Sequence, residues 1–225
     1  MDKFIIKGLA ANIVAGVLFL ACILISAGTV RYWQAWAFFI VFEAACQGLG
    51  VYFLVHDRKV IERRVAVGPM AEKEPAQKVI SALFLLGFLV MLIFPALDHR
   101  YGWSPVPAYL SVLGDVFAAL SLLANIPVLK ANRYAASTIR VEEGQPVVAT
   151  GPYALVRHPM YSAAIVLLVS IPLSLGSWLG VLWIVPFFPV LAWRLLDEER
   201  FLRQNLPGYA EYTQKVPYRL VPRVW

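Results

Sequence analysis

Apolar residues dominate five long runs of the chain, at residues 8–30, 33–55, 79–97, 105–129 and 160–193. Three of these runs contain no charged residue, and the other two each contain a single acid. A helix of about 20 apolar residues is long enough to cross a bilayer. Each of the first four runs is therefore predicted to form one transmembrane helix of an all-α bundle.

The fifth run, residues 160–193, is too long for one crossing and shorter than the roughly 40 residues that two full spans require. Its glycine and serine residues provide a turn signal near the middle of the run. The sequence therefore predicts a C-terminal hairpin of two short helices that turns near Ser174, Leu175, Gly176 and Ser177.

The distribution of lysine and arginine supports this topology. With six helical segments, Arg31 and Arg100 are the only two of the 20 basic residues that fall on one side of the membrane. The other side holds the rest, including Lys3, Lys7 and Lys73. Because basic residues concentrate in cytoplasmic loops, the sequence predicts a multi-pass membrane protein with both termini in the cytoplasm.

Composition narrows the function classes. Charged residues make up 15% of the chain and the mean hydropathy is +0.68, whereas soluble domains carry about 25% charged residues. The net charge of +6 therefore indicates contact with anionic lipid and not with nucleic acid. Cys22 and Cys46 form no CxxC pair, and no HExxH motif is present, so no metal site is predicted.

The hairpin would bring two polar segments together at the cytoplasmic boundary. Arg157 and His158 precede it, and Arg194, Glu198 and Glu199 follow it. Arg194 and Glu198 are four residues apart and share one helix face. Two interpretations remain open from position alone, a functional site or a set of interfacial anchors and solvated charges.

One polar loop and two acids inside the apolar runs have other predicted roles. The loop at residues 57–78 is predicted to be an interfacial connector without chemistry of its own. Glu43 and Asp115 lie inside apolar runs, where an acid costs about 2.5–3.5 kcal/mol and marks a function or a polar partner. Either acid could touch a substrate, be protonated, or bind a group such as Gln47 or Asn125.

Several short motifs occur in a fixed order along about the last 95 residues. They are Thr150-Gly151-Pro152-Tyr153, Val156-Arg157-His158-Pro159-Met160-Tyr161, Arg194, Glu198-Glu199, Gly208-Tyr209, Tyr212, Arg219 and Pro222. In combination they resemble the isoprenylcysteine carboxyl methyltransferase family and the related phospholipid N-methyltransferases. One position departs from the family pattern, because Ala163 stands where these proteins often have glycine.

The resemblance implies S-adenosylmethionine as the cofactor, with its site facing the cytoplasm. It divides the chain into a transmembrane bundle that holds the substrate cavity, residues 1–130, and a methyltransferase segment, residues 131–225. It assigns Arg194 and Glu198 to catalysis, Arg194 facing the acceptor. The cofactor-binding residues that it implies are Gln145, Pro146, Val147, Val148, Tyr153, Arg157, His158, Pro159, Met160, Tyr161, Glu198 and Glu199.

The residue chemistry agrees with this resemblance. The faces of Tyr153 and Tyr161 attract a sulfonium, and Arg157 or His158 suits the cofactor carboxylate. Glu198 is expected to keep Arg194 in place. The expected acceptor is lipophilic, with a carboxylate of isoprenylcysteine type. The alternatives are a phospholipid amine or small thiol as acceptor, an NADPH-dependent membrane reductase, and a small transporter that uses Glu43 and Asp115.

Overall fold

A computed structural model of the protein describes residues 3–65, 67–72 and 74–225, with side chains from residue 13 onward. Lys3, Lys7 and Lys73 of the basic set lie outside the described side chains. The described part is helical and has no strand. Its α-helices are α1 (Lys3–Ala27), α2 (Trp33–His56), α3 (Arg58–Glu62), α4 (Pro75–Tyr101), α5 (Ala108–Leu123), α6 (Asn125–Ala131), α7 (Pro159–Ser174), α8 (Trp178–Val181), α9 (Ile184–Asn205) and α10 (Tyr209–Lys215).

The apolar runs form helices close to their predicted bounds, so the all-α, multi-pass prediction is confirmed. Four segments of the described chain are long and apolar enough to cross a membrane, Trp33–His56, Pro75–Tyr101, Ala108–Ala131 and Trp178–Asn205. Ile13–Ala27 and Pro159–Ser174 are shorter apolar helices. The side of the membrane on which the termini lie stays a prediction.

The C-terminal hairpin turns where the sequence predicts it. Helix α7 ends at Ser174, and Gly176 has a φ of 79°, a left-handed conformation that glycine adopts without steric cost. The Ser177 hydroxyl then accepts a hydrogen bond from Gly180 N at 2.8 Å and caps α8. Helix α9 is longer than α7 because it continues beyond the apolar run to Asn205.

Close packing between α5 and α7 fixes the hairpin against the rest of the bundle. A Cβ atom on Gly114 would lie 2.7 Å from Ser174 N and 3.1 Å from Leu173 Cβ, so only glycine allows this approach. The adjoining core contains Phe38, Leu92 and Ile171, each at most 1% exposed. In water, burial of such a side chain would stabilise the bundle by about 1.5–3 kcal/mol. In lipid, the stabilisation comes from packing contacts between the helices.

A polar network joins the helices at the end of the bundle where the hairpin turns. Asp98, 1% exposed, accepts a hydrogen bond from Ser104 N at 2.7 Å. The hydroxyls of Ser104 and Ser177 also donate to Asp98. The Tyr32 hydroxyl donates to Leu175 O in the turn. These bonds therefore connect the hairpin turn to the end of α4, to the loop between α4 and α5 and to the residue before α2.

The C-terminal segment packs against the start of α7, at the opposite end of the bundle. Arg157 N donates to Tyr218 O and His158 N to Arg219 O, both at 2.9 Å. The Ser162 hydroxyl donates to Leu220 O at 2.6 Å. These bonds place the chain terminus beside the polar segments that flank the hairpin.

Candidate functional site

A cavity of about 580 Å³ lies at the end of the bundle opposite the hairpin turn. Its walls come from α4, from the start of α7, from the second half of α9, from α10 and from two loops. One loop follows α3 and contributes Arg64, and the other runs from Asn132 to Tyr153. Phe84 and Phe88 of the membrane helix α4 form an apolar wall.

The structure brings nearly all of the sequence-predicted site residues to this cavity. Glu199 is the one member of the predicted set that does not line it. The predicted residues on the cavity wall are Gln145, Pro146, Val147, Val148, Tyr153, Arg157, His158, Pro159, Met160, Tyr161, Arg194 and Glu198. Their roles in binding and catalysis stay predictions.

Arg157 and His158 are engaged with Glu199 beneath the cavity wall. Arg157 Nε lies 2.7 Å from Glu199 Oε1, and its Nη1 donates to the carbonyl oxygens of Val216 and Pro217. His158 Nε2 lies 3.3 Å from the same carboxylate oxygen. These contacts tie the two side chains to α9 and to the C-terminal segment and so position the start of α7. Both residues also line the cavity, and the binding of a cofactor carboxylate by either one stays a prediction.

Arg194 is held by residues of the loop before α4 and of α4 itself. Its Nη1 lies 2.8 Å from Glu72 Oε1 and also donates to Gln77. Glu72 is 5% and Arg194 is 7% exposed, so the guanidinium charge is balanced inside the protein. Glu72 therefore makes the close ion pair with Arg194, and a part for Glu198 in holding Arg194 stays a prediction.

Glu198 accepts a hydrogen bond from the Tyr161 hydroxyl at 2.6 Å. Among the described residues it has no ion pair with a basic side chain. The carboxylate of Glu198 and the ring of Tyr161 thus face the cavity together. They present an anion and an aromatic surface to a ligand.

Tyr153 forms the neighbouring part of the wall and is 9% exposed. Burial raises the pKa of the Tyr153 hydroxyl to about 12, a hydrogen bond with Asn132 lowers it, the Glu198 carboxylate raises it and the Arg64 guanidinium lowers it. The phenol therefore remains protonated at neutral pH and can donate a hydrogen bond. Its surroundings contain both a carboxylate and a guanidinium.

The sequence interpretation missed the contribution of the loop at residues 57–78. The structure places Arg64 on the cavity wall and Glu72 against Arg194, so this loop forms part of the site. The loop contains both acidic and basic residues in a chain with only 15% charged residues, and this concentration of charge was the signal in the sequence that could have indicated a functional role. Phe84 and Phe88 could not be distinguished by pattern from the other apolar residues of α4.

Glu43 and Asp115 do not line this cavity. Gln47 Nε2 donates to Glu43 at 3.3 Å, as one of the sequence alternatives expected. Asp115 is 5% exposed in α5, and Asn125 donates instead to the carbonyl oxygens of Ser121 and Leu122. Both acids thus lie within the helical bundle, away from the cavity.

Comparison with known proteins identifies related sequences. Residues 109–207 match the phospholipid methyltransferase family. The chain is 34% identical over 134 residues to a probable protein-S-isoprenylcysteine O-methyltransferase of Oryza sativa subsp. japonica, covering 56% of this chain and 64% of that protein. It is 27% identical over 135 residues to the protein-S-isoprenylcysteine O-methyltransferase B of Arabidopsis thaliana, with the same coverage of 56% and 64%.

A shorter similarity extends to a reductase. The chain is 30% identical over 91 residues to the Delta(14)-sterol reductase TM7SF2 of Mus musculus, covering 39% of this chain and 22% of that protein. The alignments span less than two thirds of the length of these relatives. The comparisons confirm the resemblance to isoprenylcysteine and phospholipid methyltransferases.

Proposed function

We propose that the protein is an S-adenosylmethionine-dependent methyltransferase of the membrane, acting on a lipophilic acceptor with a carboxylate of isoprenylcysteine type. The observation that carries the proposal is the composition of the cavity wall. Polar and aromatic residues at 145–161 and 194–198 face apolar side chains of the membrane helix α4 across one cavity. Such a cavity accepts a polar cofactor and an apolar chain together.

The residues of the cavity fit S-adenosylmethionine. Tyr153 and Tyr161 supply aromatic faces for a sulfonium, each worth about 0.5–2 kcal/mol. Glu198, which has no ion pair with a basic side chain of the described chain, suits an ammonium group or ribose hydroxyls. When bound, the cofactor supplies a methyl group activated by the positive charge on sulfur.

The contribution of the protein to such a transfer is alignment. Displacement at a methyl carbon requires the attacking atom and the leaving sulfur in line, and fixed geometry replaces the entropy cost of their encounter. A carboxylate acceptor would attack through oxygen and would carry no proton to be removed, so no residue of the cavity would need to act as a general base. Arg194 lines the cavity with its charge balanced by Glu72, and it would orient the acceptor carboxylate.

The orientation in the membrane is part of the proposal. We place the cavity on the cytoplasmic side, where a soluble cofactor is available, because 18 of the 20 lysines and arginines would then lie inside. An apolar acceptor would reach the site laterally, past Phe84 and Phe88 of α4. If an acceptor without a lipid chain were methylated as well as a prenylated one, lateral entry would be rejected.

The proposal is tested with protein purified in detergent. Binding of S-adenosylmethionine and of NADPH is measured by calorimetry, for the wild type and for Glu198→Gln. The control is Glu211→Gln, a change of the same chemistry at an exposed residue of α10. We expect saturable S-adenosylmethionine binding that is weakened in Glu198→Gln and unchanged in Glu211→Gln.

The acceptor is then identified by transfer of a labelled methyl group. A prenylated cysteine with a free carboxylate is compared with a phospholipid amine, a small thiol and a cysteine without a prenyl chain. Preference for the prenylated carboxylate supports the proposal. Failure of the folded wild type to bind S-adenosylmethionine would contradict it, and binding of NADPH in its place would favour a reductase.

A further inference from the structure

Four arginines line the cavity, and the partners of their guanidinium groups differ. They are Arg64, Arg140, Arg157 and Arg194. Three of them have a carboxylate within ion-pair distance, since Arg157 pairs with Glu199 at 2.7 Å, Arg194 with Glu72 at 2.8 Å and Arg140 with Glu142 at 3.4 Å. Within the described part of the chain, Arg64 has no such partner.

The contacts of Arg64 are weak for a guanidinium. Its Nη1 lies 3.4 Å from Ala135 O and 3.8 Å from Met160 Sδ. Burial lowers the pKa of Arg64, although the neighbouring hydroxyls of Tyr153 and Tyr161 oppose this shift. An arginine remains charged in proteins, and a charge removed from water without a partner is costly. Arg64 is partly buried on the cavity wall, so an anion in the cavity would compensate its charge.

The backbone around Arg64 is fixed, which directs its side chain to the cavity. The Ser137 hydroxyl donates to Arg64 O at 3.1 Å. The preceding Arg63 makes two hydrogen bonds to the Glu142 carboxylate, at 2.9 and 2.7 Å. Arg63 thus joins the two loops of the site, and its neighbour Arg64 is left for a ligand.

We propose that Arg64 binds the carboxylate group of a ligand in this cavity. This inference rests on the proposed function, which offers two carboxylates, that of the methionyl part of S-adenosylmethionine and that of the acceptor. The methionyl part also carries an ammonium group. Its opposite charges match Arg64 and Glu198, the guanidinium and the carboxylate of the cavity wall that have no ion pair in the described chain.

The first experiment separates the two sources of the carboxylate. Calorimetry measures binding of S-adenosylmethionine and of its decarboxylated form, which keeps the adenosine, the sulfonium and an amine. Methyl transfer measures the KM for a prenylated cysteine. The variants are Arg64→Gln and Arg64→Lys, with Arg203→Gln as the control, because Arg203 is exposed on α9 and its change lowers the net charge equally.

If Arg64 binds the carboxylate of the cofactor, Arg64→Gln is expected to bind S-adenosylmethionine about 10- to 100-fold more weakly, which is the range for one charge-assisted contact. Its affinity for the decarboxylated form would stay within about twofold of wild type, and Arg64→Lys would recover part of the loss. If Arg64 binds the carboxylate of the acceptor, cofactor binding is expected to stay unchanged and the KM for the prenylated cysteine to rise to a similar extent. Arg203→Gln is expected to behave as wild type in both measurements.

The proposal is overturned if folded Arg64→Gln retains wild-type cofactor affinity and wild-type KM. Comparison of ligands in the wild type gives a second test that does not depend on the folding of a variant. If the wild type binds the two forms of the cofactor equally and also binds prenylated cysteine and its decarboxylated analogue equally, Arg64 has no carboxylate to bind. A wild type that binds neither cofactor nor acceptor contradicts the proposed function itself.

Discussion

Arg157 Nε lies 2.7 Å from Glu199 Oε1, and each of the two side chains is only 4% exposed. Arg219 Nε lies 3.1 Å from the other oxygen of the same carboxylate. Glu199 therefore joins three parts of the chain, the start of α7, the end of α9 and the C-terminal segment. Its neighbour Glu198 faces the cavity instead.

Replacement of Glu199 by Gln is expected to destabilise the protein by about 3–5 kcal/mol, because buried guanidinium charge loses its counter-ion. The melting temperature in detergent measures this loss. Glu198→Gln is the matched control, with the same chemical change at the adjacent residue. We expect it to retain stability and to weaken cofactor binding, and equal melting temperatures of the two variants would contradict the assignment.

The pair formed by Glu72 and Arg194 is expected to show energetic coupling. Glu72→Gln leaves the buried Arg194 uncompensated, and Arg194→Gln leaves Glu72 uncompensated, so each change alone destabilises the protein. The double variant should lose at least about 1 kcal/mol less than the sum of the two single losses. Thermal or denaturant unfolding of all four proteins measures the coupling.

Glu74→Gln serves as the control for this cycle, since Glu74 is exposed in the same loop. It is expected to leave stability unchanged in the presence and absence of the Arg194 change. Strict additivity of the Glu72 and Arg194 effects would show that the ion pair contributes nothing in detergent.

Gly114→Ala is expected to destabilise the contact between α5 and α7. The added methyl group would lie 2.7 Å from Ser174 N, and since this is a backbone atom, one helix has to move. Overpacking of this kind costs about 1–3 kcal/mol. Gly48→Ala in α2 is the control, because no atom lies within 4 Å of its added methyl group; a loss there as large as at Gly114 would contradict the packing argument.

The ion pair between Arg63 and Glu142 predicts a pH dependence. A hydrogen bond from Arg63 lowers the pKa of the Glu142 carboxylate relative to its usual value. A carboxylate with a lowered pKa in the folded state stabilises that state fully above its unfolded pKa of about 4.3, and this contribution disappears as the pH falls through the folded value.

The melting temperatures of wild type and Glu142→Gln should accordingly differ at pH 6 and converge as the pH falls below about 4. Glu211→Gln, at an exposed residue of α10, provides the reference for the general effect of pH. A difference between wild type and Glu142→Gln that persists at pH 3 would exclude the ion pair as its cause.

The sequence was sufficient for the hairpin turn and for the part of the cavity wall that residues 145–161 and α9 contribute. The hairpin turn could be predicted because the apolar run at residues 160–193 is too long for one span and contains Gly176 and Ser177 near its middle. Both are local properties of the sequence. Arg64 and Glu72 were missed for a physical reason. Arg63 and Arg64 are adjacent and chemically alike, and only packing against the loop at residues 132–142 determines that one binds Glu142 while the other lines the cavity.

The Asp98 network has a mechanical consequence for ligand entry. It clamps α4 to the hairpin turn at the end of the bundle away from the cavity. At the cavity end, Gln77 of α4 and the preceding Glu72 both bind Arg194 of α9, so α4 is attached to the hairpin at both of its ends. A lipid chain that enters beside Phe84 would therefore pass between two fixed attachments, and the separation between them would limit the width of the chain that can enter.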